Sequence, residues 1–157
     1  MDRLITLASM LSGKFHIAFA TTDLKRIKAF YGGLLGCPEG RSAKNWVDYN
    51  FFGHHIVAHL APEDVVGDKG RKIGGALLTP LRHFGVVMTL DDFQKTAKRA
   101  EQLGAAWINK PSITQKGTVR EQMLMTLSDG CGNAIEFKGL TDIANVYAVK
   151  ENEAAMA

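Results

Sequence analysis

The feature that most constrains this chain is a pattern that occurs twice. Asp23 stands 13 residues before Gly36, and Asp91 stands 13 residues before Gly104. Each Asp follows a short apolar stretch with a histidine. His16 lies 7 residues before Asp23, and His83 lies 8 before Asp91. Late in each half a glycine, Gly53 or Gly132, introduces a final strand-like run. Repetition of this kind means that each unit buries its apolar face against its twin.

The elements follow from the same reading. Lys14 to Ala20 (KFHIAFA) reads as a strand. Asp23 is placed to cap a helix to Leu35, with Leu24, Ile27, Tyr31, Leu34 and Leu35 at helical spacing and Gly36 and Pro38 as stops. Pro38 to Lys44 reads as a loop. Asn45 to Phe52 and His54 to Leu60 read as an antiparallel pair turning at Gly53. Residues 61–80, with Gly67, Gly70, Gly74, Gly75 and two prolines, read as a lid or a linker. Leu81 to Leu90 is a second opening strand. Asp91 or Asp92 caps a second helix ending at Gly104. Ala106 to Ile108 is a short strand before Pro111, and Ser112 to Gln122 is a polar loop or hairpin. Gln122 to Leu127 is a strand, followed by a turn and the last strand, Ala134 to Phe137. In the tail, Ile143, Val146, Tyr147 and Val149 read as a strand or short helix. The expected organisation is an N-terminal extension (1–13), one domain (14–140: module one 14–60, linker 61–80, module two 81–140) and a C-terminal tail (141–157).

Bulk properties narrow the function. Of 157 residues, 46% are hydrophobic and 22% charged, as in a globular protein with a real core. The net charge of +3 is spread over separate helix faces, so nucleic acid is not an expected partner. No apolar run approaches the roughly 18 residues of a membrane span. The run from Ile5 to Leu11 is too short for a signal peptide. Two cysteines, Cys37 and Cys131, without CxxC or zinc spacing suggest a reduced, cytoplasmic setting.

Glu136 carries the chemistry. A carboxylate inside an apolar strand is costly to bury unless a cation meets it. If the two opening strands lie side by side, His16 and His83 converge, and Glu136 comes from the last strand of module two. Two histidines and one carboxylate fit the facial set that holds Fe(II) or a similar ion with open positions. Each residue also has a plainer reading. Either histidine could be packed in the core, and Glu136 could pair with Lys138 or Arg120 at a sheet edge. The module-one counterpart of Glu136 is Val57. His59, two residues on along the same face, could be a fourth ligand, an acid/base or packing. His54 and His55 read as turn or surface residues. Phe19, Trp46, Tyr49, Phe51 and Met125 are either pocket walls or core.

The stretches FHIAF (15–19), TDLKRIKAFYGGLLGCPEGR (22–41), HFGVVM (83–88) and DGCGNAIEFK (129–138) resemble the vicinal oxygen chelate superfamily. That superfamily includes glyoxalase I, fosfomycin-resistance proteins, extradiol dioxygenases and bleomycin-binding proteins. The resemblance implies an α+β fold of two paired βαβββ modules forming a cupped mixed sheet around one divalent metal. It carries the ligand roles onto His16, His83 and Glu136. Fe2+ is the favoured ion, with Mn2+, Zn2+ or Ni2+ as alternatives. It implies a small substrate with vicinal oxygens and is compatible with a homodimer. The similarity is greatest to extradiol-dioxygenase-like proteins. Their second histidine and tyrosine would be matched here by His59 and Tyr49 as catalytic candidates. A glyoxalase-like lyase or isomerase, a thiol transferase and a non-catalytic binding protein are the alternatives. The absence of an acid at Val57 counts against the first of these.

Overall fold

The computed structural model describes residues 13–66, 72–73 and 79–148. The expected N-terminal extension up to residue 12, much of the 61–80 segment and the end of the tail lie outside the described residues. Module one runs β1 (His16–Thr21), a helical segment, β2 (Glu39–Ala43), β3 (Trp46–Phe51) and β4 (His54–Leu60). Module two runs β7 (Phe84–Thr89), α2 (Leu90–Gln102), β8 (Ala106–Thr114), β9 (Gln122–Ser128) and β10 (Ala134–Leu140). Between them lie a 3-10 turn (Pro62–Asp64) and the two-residue strands β5 (Lys72–Ile73) and β6 (Thr79–Pro80), which pair with each other. The sheet orders are β1-β4-β3-β2 and β7-β10-β9-β8, so the two modules share one topology. This is the α+β pairing of βαβββ units that the resemblance implies.

Asp23 caps the first helix as expected, its carboxylate accepting from the amides of Lys25 and Arg26. One α-turn (α1, Leu24–Ile27) then widens into a π-helical stretch, Lys28–Leu34. Leu35 N donates to Phe30 O, five residues back. Gly32 and Gly33 weaken the ordinary α-ladder where this widening occurs. The second helix is capped differently from the sequence expectation. Thr89 is the cap, its hydroxyl accepting from Asp92 N, while Asp91 and Asp92 sit in the first turn, where negative charge suits the helix dipole.

Three other elements differ from the sequence reading. The expected loop 38–44 contains β2, a fully exposed edge strand with a bulge between Glu39 and Ser42. β8 continues through Pro111 to Thr114, because an edge strand with register shifts tolerates a residue without an N–H. His83 lies just before β7 rather than inside it. The β3–β4 turn is as expected, with Phe52 and Gly53 both at positive φ (51° and 91°). The tail forms a 3-10 turn, Ile143–Tyr147.

The core lies between the helices and one face of each sheet. Ile27, Tyr31, Tyr49, Ile56, Phe93, Met125, Ile135 and Phe137 are all fully buried there. Side chains also brace the modules across their junction. Phe19 packs on Phe84, with ring centroids 5.2 Å apart. Asn133 Nδ2 donates to Ala20 O (3.3 Å). Arg99 on α2 donates to Leu34 O (2.6 Å) and Gly33 O (2.9 Å), the carbonyls ending the first helical segment. Arg99→Ala is expected to cost about 1 kcal/mol of stability, since charge-assisted bonds at an exposed site are partly screened. Urea denaturation measures this directly; an unchanged midpoint would mean that the brace contributes nothing.

Candidate metal centre

Strand alternation assigns each candidate to a face. In module one the registers align Ala18 with Val57 and Asp48, Ala20 with His59 and Trp46, and His16 with His55 and Asn50. These residues share the face opposite the core. Tyr49 has the other parity. It is 1% exposed, stacks on Tyr31 (5.7 Å between centroids), and its hydroxyl has no hydrogen-bond partner among the described residues. Burial, and then the negative charge of Glu39, pushes its phenol up to about 12. The structure therefore places Tyr49 in the core, on the face away from His59.

In module two the corresponding row is Gly85, Glu136 and Thr126. Glu136 is on β10, an internal strand, so the edge position considered for it does not arise. It is 8% exposed. Lys138, two residues on along the same face, brings its ammonium to 3.4 Å from Glu136 Oε1. His83 Nε2 lies 3.7 Å from the same oxygen.

The His83 ring is held from behind. Its Nδ1 meets Pro80 O at 2.7 Å. A carbonyl only accepts, so this partner assigns the hydrogen to Nδ1 and, in the neutral ring, leaves Nε2 bare. A bare nitrogen and a carboxylate oxygen then face one another. Either a proton on Nε2 or a cation resolves that meeting, and outward-facing Nε2 with Nδ1 tied to a carbonyl is the usual setting of a metal-bound imidazole. The residues of this half-site fit a divalent ion.

His16 has different company. Its Nδ1 lies 2.9 Å from His55 Nδ1. His55 Nε2 lies 3.2 Å from Asp48 Oδ2, and the Arg41 guanidinium meets the same oxygen through Nε (3.1 Å) and Nη2 (3.0 Å). Asp48 is buried, which acts to raise its pKa. The bonds from His55 and from the Arg41 amide and guanidinium outweigh that and hold it below the ordinary carboxylate value. Among the described residues no three His, Cys, Asp or Glu side chains gather as a ready-made metal cage. The structure thus brings His83 and Glu136 together and does not add His16 to them. The sequence reading missed Asp48 and set His55 aside as a surface residue. The one available signal was that Asp48 and His55 are of equal parity on paired strands.

A cleft of about 620 Å³ opens at the junction of the modules. Ala18, Ala20 and His59 line it from module one, and His83, Phe84 and Ala134 from module two. His16, Tyr49 and Glu136 are not among its described lining residues. Arg82 and Asp64 add charge to its rim. The turn behind it is built by Asp129, whose carboxylate accepts from Cys131 N, Asn133 N and Asn133 Nδ2. Burial outweighs these bonds and raises its pKa.

The comparisons with known proteins agree with this architecture. The sequence model of the Glyoxalase/Bleomycin resistance protein/Dioxygenase superfamily matches residues 15–137. A glyoxalase/bleomycin resistance protein/dioxygenase from Alicyclobacillus acidocaldarius is 28% identical, with a TM-score of 0.70 over 86% of this chain and 96% of that one. The fosfomycin resistance protein FosX from Listeria monocytogenes is 16% identical, with a TM-score of 0.61 over 84% of this chain and 96% of its own. A lactoylglutathione lyase from Agrobacterium tumefaciens is 12% identical, with a TM-score of 0.59 over 88% and 98%. The last two similarities concern the fold alone. No curated protein matches the chain. With a match spanning both modules and their shared strand order, the chain belongs to the Glyoxalase/Bleomycin resistance protein/Dioxygenase superfamily.

Proposed function

We propose that this protein is an enzyme dependent on a divalent metal ion held by His16, His83 and Glu136, and that it acts on a small substrate with vicinal oxygens. One observation carries the reading: His83, with Nδ1 tied to Pro80, turns Nε2 onto the buried carboxylate of Glu136 at the junction that forms the cleft. A FosX variant from Listeria monocytogenes is described as complexed with Mn(II) and a dihydroxypropylphosphonic acid, which supports a divalent ion beside an oxygen-rich ligand on this fold. Fe2+ is the ion proposed here, with Mn2+, Zn2+ or Ni2+ as substitutes.

When bound, the ion would act as a Lewis acid on adjacent substrate oxygens. The chain does the rest. His83 and Glu136 would hold the ion from module two, and His16 would complete the set from module one. His59 lines the cleft wall, which supports it as the group that would take or return a substrate proton. Phe19 and Phe84, in ring contact with one another, line the cleft at the junction. Tyr49, the other catalytic candidate, lies on the core face, away from His59. Ring cleavage of a catechol of the extradiol type is the specific activity proposed. A lyase, isomerase or thiol-transfer reaction would use the same site. The free, buried Cys37 and Cys131 suit a reduced cytoplasmic setting. A homodimer exchanging modules is a second way to bring His16 to its partners.

One observation favours a metal-free binding protein instead: Lys138 already supplies Glu136 with a cation at 3.4 Å. Metal analysis of the purified protein, with oxygen uptake on a catechol panel, separates the readings. Stoichiometric iron and oxygen consumption are expected. Protein that holds no metal and takes none up would leave the binding reading standing. Bound metal without oxygen uptake would exclude the dioxygenase.

A further inference from the structure

Module one differs from its twin in one respect that bears on His16. Register makes His55 the counterpart of Ala134 and Asp48 the counterpart of Thr126. Module two thus has a methyl group and a hydroxyl where module one has an imidazole and a carboxylate. Behind His83 stands a carbonyl; behind His16 stands a second histidine backed by a buried acid.

We propose that Asp48 and His55 are positioning residues that fix His16 as its Nδ1–H tautomer, leaving the Nε2 lone pair bare. The chain of bonds allows one order for neutral rings. The Asp48 carboxylate only accepts, so His55 Nε2 donates to it. His55 Nδ1 then carries no hydrogen and must accept. The group 2.9 Å away is His16 Nδ1, which therefore donates. The two ring planes are 21° apart with centroids 4.8 Å apart, close to the side-by-side placement that an in-plane N–H···N bond requires. Arg41 and its own amide hold Asp48 from the other side. Gly40 leaves room for this, since a Cβ there would run into Asp48 Oδ1. The result in module one matches the result in module two, where Pro80 O fixes His83 the same way. Two different backings thus leave both repeat histidines with Nδ1 committed and Nε2 bare, the state that a divalent cation requires.

The use of that lone pair on a metal rests on the proposed function; the tautomer does not. The test therefore reads both. Long-range 15N–1H spectra of the metal-free, 15N-histidine-labelled protein at about pH 8, where an ordinary imidazole is neutral, report each ring's tautomer. Mn2+ titration of the same protein reports affinity. His16 is expected as Nδ1–H in the wild type. In Asp48→Ala His55 Nε2 loses the acceptor that fixed its hydrogen, so the order of the two rings is released and the Nε2–H form of His16 appears. That variant should lose roughly 10–100-fold in Mn2+ affinity, the usual cost of removing an outer partner. His55→Asn, whose side-chain oxygen stands where His55 Nδ1 stood and can accept from His16 Nδ1, should keep the tautomer and part of the affinity. Wild-type His16 found as Nε2–H, or His16 still wholly Nδ1–H in folded Asp48→Ala, overturns the proposal. A correct tautomer with Mn2+ affinity unaltered by His16→Ala would instead overturn His16 as a ligand.

Discussion

Glu136→Ala is expected to abolish divalent-metal binding while leaving a folded protein. Glu136 is the one acid in the proposed set, and its oxygen is the atom that His83 Nε2 faces at 3.7 Å. Losing a direct ligand should exceed the roughly 10–100-fold cost of losing an outer partner. Lys138 supplies the opposing experiment. Its ammonium competes for the same oxygen at 3.4 Å, so Lys138→Met should tighten Mn2+ binding while Glu136→Ala removes it. Isothermal titration with Mn2+ measures both, and far-ultraviolet circular dichroism checks the fold. Unchanged affinity in Glu136→Ala would refute the assignment. Weaker binding in Lys138→Met would show that the ammonium assists the site rather than competes for it.

The largest effect on stability is expected at Gly85. It pairs with Glu136 across the parallel β7–β10 ladder. A Cβ there would run into the Glu136 carbonyl, with its carbonyl carbon and amide nitrogen close behind. That obstacle is backbone, which cannot rotate aside as a side chain can. Gly85→Ala must therefore spread the two strands, at a cost of about 3 kcal/mol, the upper range for overpacking. The lowered midpoint in urea should be accompanied by weaker Mn2+ binding, because the displaced strand carries Glu136. A midpoint equal to that of the wild type would show that β7 and β10 do not approach this closely. Ala18 holds the equivalent place in module one, opposite Val57.

The repeat made much of this fold legible. Paired Asp–Gly intervals located both helices, and Gly53 and Gly132 located the turns before β4 and β10. What stayed hidden had weak local signals. β2 (EGRSA) is exposed along its whole length, so it has no apolar alternation to read. β8 crosses Pro111, a residue that ordinarily ends a strand prediction. Thr89 displaced two aspartates as the helix cap because the chain turns two residues before Asp91. At the site, the symmetry of His16 and His83 was visible, and so was the anomaly of Glu136. Their partners were not. Lys138 needed only strand parity, but Pro80 O is backbone and leaves no trace in composition. His55 looked like a turn residue beside Gly53, and its meaning depends on Asp48, which reaches it only through strand pairing. Tyr49 shows the reverse case: an attractive residue type whose parity points it into the core.

β1 and β7 belong to different sheets, and no ladder joins them. Within a ladder, positions change only in whole-residue steps. Across this seam they are set by side chains such as Phe19, Phe84 and Asn133. The span between His16 and His83 is therefore a continuous coordinate, adjustable by tenths of an ångström without breaking a backbone bond. Ion preference under the proposed ligand set then becomes a property of the seam as well as of the ligands. Trimming an aromatic ring there would retune which ion fits while every coordinating atom stays the same.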